Sequence, residues 1–153
     1  MDSFFRRAMV ALPLVVATSG ALADVIVEAP WIRGVVAGQS TTGAFMTIRS
    51  TTATRLVKVA SPAAADANVH RTAMVDGMMK MEPVESLTVP AHGSVELKPG
   101  GLHVMLMGLR APLRTGQTVP LTLTFRGADG RDSMVTVQAQ VRDVTGASAG
   151  GKP

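Results

Sequence analysis

Turn signals recur about every ten residues along this chain, and the stretches between them alternate apolar and polar side chains. This pattern limits the fold more than any other feature. Val75-Asp76-Gly77 contains the Asp-Gly pair favoured in two-residue hairpins, whose turn needs left-handed backbone at both central positions. Pro90-Ala91-His92-Gly93 and Gly127-Ala128-Asp129-Gly130 mark two further turns. Period-two segments fall at 25–28, 43–49, 55–59, 68–74, 78–81, 86–89, 94–97, 102–109, 118–125 and 133–141. Many short strands with regular turns predict an all-β sandwich or barrel in a single domain. Pro30 is expected to end the first strand and Pro83 the fifth, because proline removes a ladder donor. The run Ser61-Pro62-Ala63-Ala64-Ala65-Asp66 is expected to hold one helical turn.

Both ends read differently. Arg6 and Arg7 precede an uncharged apolar stretch from Ala8 to Ala17, and Ala21-Leu22-Ala23 has the small-residue pattern of a cleavage site. Residues 1–23 are therefore expected to be a secretory signal peptide, with a mature chain starting at Asp24. The apolar run is too short to span a bilayer comfortably, so no membrane span is expected in the mature chain. The Arg pair alone does not make a twin-arginine signal, so general secretion and a periplasmic location are expected. The domain is expected over residues 24–144. The Gly, Ala and Ser tail at 145–153 is expected to be disordered.

The chain has 15 basic and 11 acidic residues. Loss of Arg6, Arg7 and Asp2 with the signal lowers the net charge from +4 to +3. The basic groups are scattered and aromatics make up only 3% of the chain, so the chain lacks a nucleic-acid footprint. There is no cysteine. That excludes disulfides, a thiolate blue-copper centre, the usual structural zinc sites and a cysteine nucleophile. No phosphate loop, nucleophile elbow or dinucleotide fingerprint is present, and an enzyme is not expected.

The chemistry sits in one spacing. Ten residues separate His70 from Met81, and twenty-one separate Met81 from His103-Val104-Met105. Two imidazoles and two thioethers form a neutral, soft donor set. Thioether suits Cu(I) and offers little to zinc, magnesium or calcium. Residues two apart in a strand share a face, so His103 and Met105 present a nitrogen and a sulfur side by side. The Asp76-Gly77 hairpin is expected to make His70 and Met81 near neighbours. Proton competition falls on the two histidines alone, so binding is expected to weaken as pH falls through the histidine range.

This H-x10-M-x21-H-x-M spacing resembles the motif of the PCu(A)C family of periplasmic copper chaperones. Val84-Glu85, the run from Val95 to Leu109 and Val119-Pro120-Leu121-Thr122-Leu123-Thr124-Phe125 fit the same family. The likeness spans roughly residues 24–142. It implies a cupredoxin-like, Greek-key β-sandwich. It implies a metal site of His70, Met81, His103 and Met105 holding one Cu(I). It also implies delivery toward the CuA centre of cytochrome c oxidase, with a CuA-type oxidase subunit and Sco-type thioredoxin-like proteins as partners. Some relatives carry a His- and Met-rich tail with a second copper site, and this tail has neither residue type. Many relatives carry Met two residues after the first His, where this chain has Thr72.

Other methionines have plainer roles. Met46, Met107 and Met134 are expected in the core, where Met is usually filler. Met74, Met78 and Met79 are expected near the hairpin, exposed and possible aids to copper movement. His92 is expected to be an exposed turn residue and Trp31 a packing anchor. Two other functions compete: a periplasmic copper buffer or resistance protein using the same site, and an immunoglobulin-like interaction module without metal.

Overall fold

A computed structural model describes residues 25–143. The expected signal peptide and the C-terminal tail lie outside the described residues. Ten strands run in chain order: β1 (Val25–Arg33), β2 (Thr41–Ser50), β3 (Thr54–Ala60), β4 (Ala64–Val75), β5 (Met78–Val84), β6 (Leu87–Val89), β7 (Gly93–Leu97), β8 (Leu102–Leu109), β9 (Thr118–Gly127) and β10 (Asp132–Arg142). No helix occurs among the described residues. The chain has the expected all-β, cupredoxin-like sandwich architecture.

Period-two burial explains each strand. Val119, Leu121, Leu123 and Phe125 of β9 are buried, while Thr122 and Thr124 between them are partly exposed. Burying each such side chain contributes about 1.5–3 kcal/mol relative to leaving it in water. The ladder runs β5-β4-β8-β2-β1-β10-β9-β3-β6, with β7 beside β8 on the same flank of β2. Pairing is antiparallel except between β1 and β10. Ile32 and Ile48 near the middle of this path, Val104 and Leu106 toward one end, and Leu56 and Val89 at the other join one core cluster. The sheet therefore folds over on itself to enclose them.

Three local expectations give way to tertiary pairing. β1 passes Pro30 through an irregularity between Glu28 and Trp31, with Ala29 at a left-handed φ of 46°. Residues 64–66 are strand, not helix, because Ala64 and Asp66 pair with Leu109 and Met107. β5 continues through Pro83 to Val84. It is a terminal strand of the ladder, and an edge strand can leave one backbone position without a donor. Asp76 and Gly77 both have positive φ, 52° and 76°, as the tight hairpin requires. Met46 is buried as expected, whereas Met134 is exposed and Met107 is only half-buried on the outer face of β8.

Candidate metal centre

β8 alternates between two environments. Val104 and Leu106 point into the core and are fully buried. His103 and Met105 therefore take the other face. On one flank β8 pairs with β4, which sets His70 opposite His103 and Asn68 opposite Met105. On the other flank it pairs with β2, which sets Gly43 opposite Met105.

The two imidazoles, thirty-three positions apart in the chain, lie with ring centroids 6.1 Å apart and planes 20° from parallel. Two rings bound to one ion through bonds of ~2.0 Å would place their centroids roughly 5–6 Å apart. The observed separation thus needs little adjustment. Phe45 lies on the far side of His103, with centroids 6.4 Å apart, and Trp31 lies beyond it at 4.5 Å. Trp31, Phe45, His103 and His70 so form one row across β1, β2, β8 and β4. This row leaves His103 only 5% exposed. The Arg33 guanidinium sits 5.7 Å from the Phe45 ring centre, and that of Arg142 5.9 Å from the Trp31 ring centre.

Hydrogen bonding fixes the His103 tautomer. Nδ1 lies 3.1 Å from the Gly101 carbonyl oxygen. A carbonyl only accepts, so Nδ1 carries a proton, and the neutral form of the ring then has its lone pair on Nε2. The same carbonyl accepts the Thr72 backbone N–H at 3.3 Å, tying the turn before β8 to β4. His103 Nε2 and His70 Nδ1 are buried and have no hydrogen-bond partner. Each such atom costs about 1–3 kcal/mol in an ordinary interior, so two of them on neighbouring rings call for an explanation. A soft cation held by both rings would provide one.

Met81 arrives from the hairpin. The residue opposite His70 on β5 is Pro83, and Met81 is opposite Thr72. Met81 is therefore the diagonal neighbour of His70, on the same face, and not its direct partner. It is 57% exposed. Met81, His103 and Met105 line one cavity of about 290 Å³ together with Thr72, Gly43 and Phe45. His70 is not on the cavity wall; it stands beside His103 with its Nδ1 buried. A recess of about 390 Å³ between β3, β4 and β5 contains neither His nor Met. Among the described residues no three His, Cys, Asp or Glu side chains form a metal group. The thioethers on the cavity wall are the further donors at hand, and their softness matches copper and not calcium or magnesium.

Sequence reading missed the supporting residues. A Cβ on Gly43 would lie 3.0 Å from Phe45 Cζ, so glycine makes room for the ring at the position opposite Met105. An isolated Gly in a strand pattern signals such close approach. No local signal pointed to Phe45 or to the Gly101 carbonyl. His92 is exposed in its turn at a φ of 53°, as expected.

Comparison with known proteins agrees with the fold. The family model described as "Putative lipoprotein LpqE-like" matches residues 25–141. A curated relative, the "Putative lipoprotein Lxx21020" of Leifsonia xyli subsp. xyli, is 38% identical over 141 residues, covering 90% of this chain and 81% of the relative. The solution structure of CuI-DR1885 from Deinococcus radiodurans is 35% identical, covers 82% of this chain and 84% of its own, and superposes with a TM-score of 0.59. The copper-bound PCuAC domain of PmoF2 is 22% identical, covers 78% and 92% of the two chains, and gives a TM-score of 0.62; that likeness speaks for the fold. With the family model spanning nearly every described residue, the chain belongs to the LpqE-like lipoprotein family, built on the PCuAC fold.

Proposed function

We propose that this protein is an exported copper chaperone that carries one tightly held Cu(I) between His70 Nδ1, His103 Nε2 and the thioethers of Met81 and Met105. The observation that carries the reading is the pair of buried, unpartnered imidazole nitrogens beside a cavity walled by two thioethers. Two solved relatives, one titled copper-bound and one titled CuI, support copper as the cargo and Cu(I) as its state.

The residues divide the work. The Gly101 carbonyl holds the His103 ring in the tautomer that offers Nε2. The Phe45–Trp31 row excludes water from one side of it. The neutral thioethers bind without releasing a proton and cannot close into a disulfide when copper leaves. Transfer to a thiolate-bearing acceptor then proceeds by ligand exchange with no change of oxidation state.

We further propose delivery toward the CuA centre of cytochrome c oxidase, alongside Sco-type proteins, and a non-enzymatic role. Export is supported by the family's lipoprotein description. None of the 153 residues is a cysteine, so a cysteine-linked lipid has no attachment point within them. An anaerobic Cu(I) titration against a chromophoric competitor tests the site. One tight equivalent is expected, lost in the His103→Ala, Met105→Ala double variant. Equal binding by both proteins would sink the reading. A chaperone should also load a CuA-type domain faster than that domain captures copper free in solution; slower loading would favour a buffer.

A further inference from the structure

The hairpin formed by β4 and β5 has two faces of opposite character. From His70 to the tip, one face carries His70, Thr72 and Met74 on β4 and Met79, Met81 and Pro83 on β5. None of these carries a fixed charge. The other face carries Arg71, Lys80 and Glu82. Met74 is directly opposite Met79, and Met81 follows two residues later on the same face. Val75 and Met78 close the two-residue turn as a hydrogen-bonded pair, so by alternation Met74–Met79 and Thr72–Met81 are the close, non-hydrogen-bonded pairs. Met74 and Met79 are 68% and 66% exposed. An outward-facing cluster of large apolar side chains on an edge strand costs solubility, and such a patch usually marks contact with something. Met81 belongs both to this cluster and to the wall of the cavity beside His103 and Met105.

We propose that Met74, Met79 and Met81 form a second, weaker Cu(I) station on the outer face of the hairpin, through which copper enters and leaves the main site. Three neutral thioethers on one face offer a soft trigonal set and exclude harder ions. Met81 is shared, so copper can pass inward by exchanging the sulfurs of Met74 and Met79 for imidazole nitrogen without being released to water. Met78 is equally a hairpin methionine, yet its place opposite Val75 puts it on the charged face. It takes no part.

The route inward rests on the proposed main site, whereas the station itself needs only that the cargo is Cu(I). Its test is an anaerobic Cu(I) titration against a weak competitor. The proteins are the wild type, H70A/H103A, and H70A/H103A with either M74L/M79L or M78L added. The wild type should bind a tight and then a weaker equivalent. H70A/H103A should keep the weaker one. M74L/M79L should weaken it by about tenfold or more, and M78L should leave it unchanged. A weaker equivalent indifferent to M74L/M79L would overturn the station. Should the histidine variants fail to fold, M74L/M79L in the wild-type background decides. A chelator should strip the tight copper about tenfold more slowly at unchanged affinity, and an unchanged rate would overturn the proposal. A wild type that lacks the tight equivalent while the Met-dependent weak one is present would instead count against the proposed function.

Discussion

His103 and Met81 belong to one proposed site and are held in opposite ways. His103 lies mid-sheet, between Phe45 and His70, with its Nδ1 tied to the Gly101 carbonyl and only 5% of its surface exposed. Met81 stands on the terminal strand of the ladder, more than half exposed, with the tight Asp76-Gly77 turn at one end of its strand and Pro83 two residues away. The nitrogen side of the site is preorganised by the core. The Met81 sulfur, unlike that of Met105 on β8, rides on an edge strand with no fully buried residue, and such elements open at the low end of a protein's stability range. A carrier needs both: a fixed half to select and hold the ion, and a loose half to let it go.

The largest effect should come from removing the wall of the fixed half. Phe45→Ala should cost about 3–5 kcal/mol in urea unfolding, since the ring is buried between Trp31 and His103. It should also weaken copper binding. A loss below 1 kcal/mol would mean the aromatic row does not support the site. His103→Ala should lower Cu(I) affinity by more than ~100-fold, because even outer-shell partners of a ligand are worth 10–100-fold. The apo protein should lose only about 1 kcal/mol, since losing the Nδ1–Gly101 hydrogen bond and the ring packing is offset by removing a buried atom without a partner. Met81→Leu should cost only about tenfold in affinity and leave stability within ~0.5 kcal/mol. Were Met81→Leu as damaging as His103→Ala, the contrast between the two halves would collapse.

The smallest effect lies on the β9–β10 hairpin. Arg126 Nε and Asp132 Oδ1 are 2.8 Å apart, and the paired guanidinium holds the Asp132 carboxyl below its ordinary value and raises Arg126. A depressed carboxyl stabilises the fold above its unfolded pKa, and that contribution fades as pH falls through the folded one. Both partners are solvent-exposed, so Asp132→Asn should leave the unfolding midpoint at pH 7 within error and remove only a slight acid-side slope. A clear drop at pH 7 would show that the hairpin matters more to the fold than its exposure implies.

The strands were legible because period-two burial is a local signal; 102–109 was predicted to the residue, and β9 to within two. The misses were places where a distant partner overrode local preference. An Ala-rich stretch at 64–66 has helical propensity but pairs with β8. Pro83 was expected to end a strand that instead runs on along a sheet edge. Of the site, the donor spacing was legible and its support was not. Phe45 and Gly43 meet His103 and Met105 through a β2–β8 register some sixty residues apart in the chain, which no short pattern encodes. The division of Met78 from Met74 and Met79 was latent in the parity of the hairpin and needed only the turn length to extract.

X-ray absorption at the copper K-edge of the Cu(I)-loaded protein tests the central claim most directly. Coordination by His70, Met81, His103 and Met105 predicts two nitrogen scatterers near ~2.0 Å and two sulfur scatterers near ~2.3 Å, distances of the size imidazole and sulfur adopt on a d10 ion. One sulfur should disappear in Met81→Leu and one in Met105→Leu. A shell of nitrogen and oxygen alone, or a sulfur count unchanged by both substitutions, would contradict it.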